Sequence, residues 1–137
     1  MATQIFVNLP VKDLNRSIDF WTKVGYTFNQ QFTDENAAAM VIDDESGIYA
    51  MLLTEGFFRS FHKSEIADPT RQREVLVALG VESKNRVNEL VDNAISAGGT
   101  STGDPDDQGF MYSRGFLDPD GHHWAVHWMD PATIQPQ

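Results

Sequence analysis

The sequence predicts an α+β fold in which one β-α-β-β-β unit is used twice. Two segments carry helical periodicity, and each is preceded by one strand-like run and followed by three more. The halves also coincide when the chain is shifted by 70 residues, which places Leu9 on Leu79, Val11 on Val81, Asn15 on Asn85 and Arg16 on Arg86. Residues 1–68 hold ten acids and five bases, and residues 69–137 hold the same numbers, as a duplicated unit would.

The first strand runs over 5–11. Asp13 then offers an N-cap, Leu14, Ile18, Trp21 and Val24 form one apolar stripe, and Gly25 stops the helix. Strand candidates follow at 26–32, 37–42 and 48–53, separated by turn residues. The second unit repeats the order: a strand at 75–81, a capping Ser83, a stripe of Val87, Leu90, Val91 and Ala94, a stop at Gly98-Gly99, and strands at 100–102, 110–117 and 122–129. We place a first unit at 1–55, a connector at 56–73 and a second unit at 74–130, within one domain spanning 1–137. The connector carries Phe57, Phe58, Arg59, Phe61 and His62, too aromatic for a solvated linker. It reads either as a lid, with Arg59 and His62 at its mouth, or as a subunit contact. Trp21, Trp124 and Trp128 read as packing residues.

A length of 137 residues gives one domain, and 41% hydrophobic residues suffice for a core. Twenty acids against ten bases leave a net charge of −10, which repels polyphosphate and anionic bilayers, so neither nucleic acid nor membrane is an expected partner. The absence of cysteine removes disulfides, thiolate zinc sites and cysteine nucleophiles. With no basic segment followed by a long apolar run at the start and no stretch of spanning length, the chain reads as cytoplasmic. There is no phosphate-cradling glycine loop, no Gly-x-Ser-x-Gly elbow and no His-Glu-x-x-His. The cluster Asp104-Pro105-Asp106-Asp107 lacks the spacing of a calcium loop and reads as a solvated turn.

Three stretches carry a resemblance to a known family: Leu9-Pro10-Val11-Lys12-Asp13-Leu14-Asn15-Arg16-Ser17-Ile18-Asp19-Phe20-Trp21, then Val24-Gly25-Tyr26, and Phe116-Leu117-Asp118-Pro119-Asp120-Gly121-His122. In these the chain resembles the vicinal oxygen chelate superfamily of glyoxalase I, bleomycin and fosfomycin resistance proteins and extradiol dioxygenases. Ala50-Met51-Leu52-Leu53-Thr54-Glu55 and Gly109-Phe110-Met111-Tyr112 are similar to the group labelled predicted lactoylglutathione lyase. The resemblance implies half-open curved sheets around a cavity, a homodimer, and a divalent metal held by His, Gln or Glu.

By the same resemblance, the metal ligands fall at four positions. One lies seven residues before the Asp that opens helix one, which is Phe6, and its counterpart 70 residues on is Leu76. Another lies four residues after Gly121, which is Ala125, and its counterpart is Met51. Phe, Leu and Ala offer no donor and a thioether suits soft metals only, so no cofactor is expected, and a divalent ion has room only at a non-standard site. His123 and His127 stand four apart on a predicted strand, about 13 Å at the strand rise, too far to share one ion.

Strand parity puts Asn8, Glu74, Ala78, His123 and His127 on the face of Phe6, Leu76 and Ala125, with Tyr49 beside Met51, and adds Met111 and Ser113. The expected ligand-binding set is therefore Phe6, Asn8, Met51, Leu76, Met111, Ser113, His123, Ala125 and His127. Glu74 and His127 are the candidate acid/base groups, against the alternative that Glu74 merely begins its strand in water. Two functions compete. One is a glyoxalase/bleomycin-resistance-like protein that binds a small organic molecule without the usual metal. The other is a metal-dependent lyase or isomerase of the lactoylglutathione lyase type.

Overall fold

The computed structural model describes residues 3–133. They fall into two compact units, one ending at Asp68 and the other beginning at Pro69. Among the described residues no helix is long and apolar enough to cross a membrane.

The first unit is a four-stranded sheet with one long helix. Strands β1 (Ile5–Val11), β2 (Thr27–Asn29), β3 (Ala37–Asp43) and β4 (Ile48–Thr54) take the order β1-β4-β3-β2, with β1 and β4 parallel and the other pairs antiparallel. Helix α1 (Leu14–Val24) starts where the Asp13 carboxylate accepts the Arg16 N–H at 3.1 Å, and ends at Gly25, whose φ of 126° a side chain would strain. Leu14, Phe20, Trp21 and Val24 of α1 are buried, as are Leu9, Val11, Ala38, Met40, Ala50 and Leu52 of the strands. Those strand residues share one parity, so one face of the sheet is the core face. The burial of Phe20 and Trp21 contributes roughly 1.5–3 kcal/mol each.

The second unit repeats the topology. Strands β5 (Leu76–Gly80), β6 (Thr100–Ser101), β8 (Met111–Leu117) and β9 (His123–Met129) run β5-β9-β8-β6, and the two-residue β7 (Asp106–Asp107) adds to β8. Helix α3 (Lys84–Ser96) begins with the Ser83 hydroxyl accepting the Arg86 N–H at 3.0 Å, and buries Val87, Leu90, Val91 and Ala94. It is also clamped polar-side to β8: Asn88 Oδ1 accepts from the Tyr112 hydroxyl at 2.8 Å and from Arg114 at 2.9 Å, and Asp92 pairs with Arg114 at 2.9 Å. Tyr112 and Arg114 thus lie on the helix side of the sheet, as parity predicts.

Three local expectations need correction. The strand expected over 26–32 ends at Asn29, because its side-chain Oδ1 accepts the Gln31 N–H at 3.0 Å and caps a 3-10 turn, Gln30–Phe32. The acidic stretch read as a turn contains β7, whose Asp106 and Asp107 pair with Ser113 and Tyr112. The connector opens with a short helix, α2 (Glu55–Arg59), capped by Thr54 and packed on β1 and β4.

The turn before β9 is organised by one buried carboxylate. Asp118 Oδ1 accepts the N–H groups of Asp120 and His122, both at 3.0 Å, and Oδ2 accepts the Trp124 indole N–H at 3.1 Å. Burial raises the Asp118 pKa above 3.8, outweighing the nearby His122 and the hydrogen bonds that favour the charged form. Asp118→Asn keeps an oxygen for the two backbone donors but turns an NH2 on the indole N–H, and is expected to cost about 1–3 kcal/mol in chemical denaturation. Because the folded pKa is raised, the native state holds an extra proton in the window just above 3.8, so stability from this group rises as pH falls through it. The gap between wild type and Asp118→Asn should widen on acidification; a narrowing gap would show that the hydrogen bonds outweigh desolvation.

Candidate functional site

The face of the first sheet opposite α1 holds a cavity of about 440 Å³. Its floor comes from β1 and β4, whose parallel register sets Phe6 beside Tyr49 and Asn8 beside Met51. Ala39 of β3 and Asn29 of β2, directly paired, extend the floor, and Phe32 of the 3-10 turn and Gln4 stand at its edge. The Phe6 and Tyr49 rings stack at 5.0 Å with 14° between planes, yet Phe6 stays 49% exposed. A stacked aromatic pair with a free outer surface can receive a further flat group.

Polar groups fix the orientation of this surface. The Tyr49 hydroxyl donates to Asp44 Oδ1 at 2.7 Å, and that hydrogen bond, followed by desolvation and the charges of Asp44 and Asp43, raises the phenol pKa above 10.0. Tyr49 therefore stays neutral and its ring is held in place. Asn8 Nδ2 donates to the Phe6 carbonyl at 3.2 Å.

The second sheet presents Leu76, His123, Ala125, His127, Met111 and Ser113 on its face away from α3. Register pairs Leu76 with His123, Ala78 with Ala125, and Ser113 with His127. Two glycines make room for the imidazoles: a Cβ at Gly80 would stand 3.3 Å from His127 Nε2, and one at Gly115 would stand 2.5 Å from Thr102 Oγ1 and 3.1 Å from His123 Nε2. Burial, and then the Arg73 charge, lower the His123 pKa below 6.5, so it is neutral at physiological pH. Arg73 is held beside it by donating to the Gly121 carbonyl at 2.7 Å.

The predicted set is thus partly assembled. Phe6, Asn8 and Met51 line one cavity, and the six second-unit residues share one sheet face. Glu74 and His127 are not brought together. β5 begins at Leu76, so Glu74 lies outside the strand and its parity, and is exposed on the preceding bend. His127 pairs with Gly80, at the far end of β5 from Leu76, about 13 Å along the strand. Sequence reasoning missed Gln4, Asn29 and Phe32; the Asn-Gln-Gln-Phe string signalled a capped turn but was masked by the apolar Phe28 and Phe32 around it.

The four positions where the resemblance implies metal ligands carry Phe6, Met51, Leu76 and Ala125, which supply no oxygen or nitrogen donor. Among the described residues no three His, Asp or Glu side chains cluster as a metal site. The donor set does not fit a hard divalent ion.

The sequence model of the glyoxalase/bleomycin resistance protein/dioxygenase superfamily matches residues 4–126. A hypothetical protein of S. aureus is 27% identical and superposes with a TM-score of 0.76, over 93% of this chain and 95% of its own. A glyoxalase/bleomycin resistance protein/dioxygenase family enzyme of Burkholderia phytofirmans is 19% identical, with a TM-score of 0.75 over 90% and 96%. The genomically encoded fosfomycin resistance protein of Listeria monocytogenes is 18% identical, with a TM-score of 0.66 over 100% and 96%. No curated protein matches the sequence.

The packing around His123 sets up a direct check. Gly115→Ala should displace the imidazole towards water and return its NMR titration midpoint towards 6.5, at a cost of about 1–3 kcal/mol in stability. Arg73→Gln should raise the midpoint by less, since burial is the larger cause. Equal shifts in the two variants would contradict that ranking.

Proposed function

The chain belongs to the glyoxalase/bleomycin resistance protein/dioxygenase superfamily, and from that premise we propose that it binds a small organic molecule on the open face of its first sheet, without a metal at the family's ligand positions. One observation carries this reading. Where relatives would place a metal donor, Phe6 contributes a half-exposed ring to an aromatic stack above a cavity of about 440 Å³, a size suited to a small ligand. The surrounding polar groups are few and neutral or anionic, which suits an aromatic, uncharged or cationic compound in a chain of net charge −10.

A thermal-shift screen with aromatic metabolites and cationic glycopeptides tests this. A ligand at a hundred times its Kd should stabilise the fold by about 2.7 kcal/mol. Phe6→Ala should leave the fold intact, because the ring is half exposed, and weaken binding by roughly tenfold through loss of the stack. A screen in which no compound moves the melting point removes the support for the reading.

The competing function, a metal-dependent lyase or isomerase of the lactoylglutathione lyase type, would need an ion held elsewhere. Metal analysis of protein purified without chelators separates the two. Stoichiometric nickel, zinc, iron or manganese, with turnover of the methylglyoxal–glutathione hemithioacetal, would establish the lyase. We also propose a homodimer, for which the exposed Phe57 and Phe110 offer apolar surface, to be checked by light scattering.

A further inference from the structure

Successive rows on the open face of the first sheet are Phe6 beside Tyr49, Asn8 beside Met51, and Pro10 beside Leu53, each about 7 Å further along the strands. The first two rows floor the larger cavity. The third is covered: Tyr49 and Met51 are partly open, whereas Leu53 is buried, and α2 packs on both strands. The aromatic connector thus closes one end of this face. Around Leu53 lies a second cavity, of about 240 Å³, which Asn8, Phe58, Phe61 and His62 also line. Asn8 borders both cavities, so the two adjoin at its row.

The wall that the connector contributes is braced, apolar and still open to solvent. Phe57 meets Phe61 edge to face at 5.0 Å, and Phe58 meets His62 in the same way at 5.0 Å, each pair four residues apart. The Phe61 N–H donates to the Phe58 carbonyl and the His62 N–H to that of Arg59, which fixes the turn after α2. Phe61 is nevertheless 67% exposed. A large apolar ring held beside a cavity, and left uncovered by its own unit, is a surface for a ligand to cover.

We propose that the smaller cavity takes a second ring of the same ligand, so that the site selects an elongated molecule with two uncharged rings joined by a few atoms that pass Asn8. The size fits, since an apolar cavity of about 150 Å³ already admits benzene. The charge fits as well: no Lys, Arg, Asp or Glu lines either cavity, so an ionised ring substituent would lose hydration without a countercharge. From the Asn8 row the larger cavity extends towards Gln4 and the smaller towards Leu53, so a single ring cannot fill both. The inference rests on the open face being a ligand-binding surface.

The test compares N-methylbenzamide, which has one ring, with N-benzylbenzamide, which has two, by NMR titration of the full-length protein. The second ring should tighten binding about tenfold, the order expected when one face of a ring is buried. Phe61→Ala removes the wall at a site 67% exposed; it should erase that gain and leave N-methylbenzamide binding unchanged. Phe61→Leu, which keeps apolar bulk, should retain most of the gain, and isotope-filtered spectra should show the benzyl protons in contact with Phe61. Equal affinity of the two probes, with both weakened by Phe6→Ala, overturns the second-ring inference while binding at the larger cavity stands. An advantage that survives Phe61→Ala puts the second ring elsewhere and overturns it too. If Phe61→Ala erases the advantage but Phe6→Ala affects neither probe, the smaller cavity holds a ring and the placement of the other over Phe6 fails. Binding of neither probe overturns both.

Discussion

Each sheet in this protein has one face sealed by its own helix, and the period of two along a strand then dictates everything on the other face. In the first unit, Leu9, Val11, Ala50 and Leu52 are committed to α1 and the core, so Phe6, Asn8, Tyr49 and Met51 have no choice but the open side. A slip of one residue between β1 and β4 would bury Asn8 and expose Leu9. The parallel register of these two strands is therefore the constraint on which the candidate site depends.

The same topology is secured differently in the two units. In the first, α1 is held by aromatic bulk, Phe20 and Trp21, and by caps at both ends. In the second, α3 carries smaller aliphatic residues and adds a polar clamp, in which Asn88 and Asp92 hold Tyr112 and Arg114 of β8. The Asp118 carboxylate then fixes the entry to β9 through three hydrogen bonds, tying the turn to the Trp124 core. A buried carboxylate with a raised pKa is in this case a structural device, because its hydrogen-bond donors are backbone and indole N–H groups of the same turn and strand.

The open faces also differ in chemistry. The first offers a stacked aromatic pair and amide groups beside two cavities, and His62, which lines the smaller one, has a buried Nε2 without a hydrogen-bond partner. The second offers two imidazoles laid over glycines, with His123 kept neutral by burial. Neither set is that of a hard-metal site.

Much of the fold is legible in the residues alone. Asp13 and Ser83 as caps, the apolar stripes behind them, and the 70-residue shift fix both long helices and the order of the strands, because these signals are local and repeat. Parity also assigns Phe6 and Asn8 to one face of their strand, and the resemblance adds Met51, whose place beside Asn8 is set by the register of β1 and β4. What parity cannot supply is where a strand ends. Asn29 turns its side chain onto the backbone and stops β2 early, and β5 starts too late to carry Glu74, so both outcomes follow from hydrogen bonds that composition does not announce. The aromatic connector is visible as unusual, but only the tertiary structure shows α2 packed on β1 and β4 and His62 Nε2 buried without a hydrogen-bond partner. The sequence determined the scaffold and the apolar character of the metal positions, while the tertiary structure decided which polar atoms lie unanswered, because burial is a property of neighbours brought in from elsewhere in the chain.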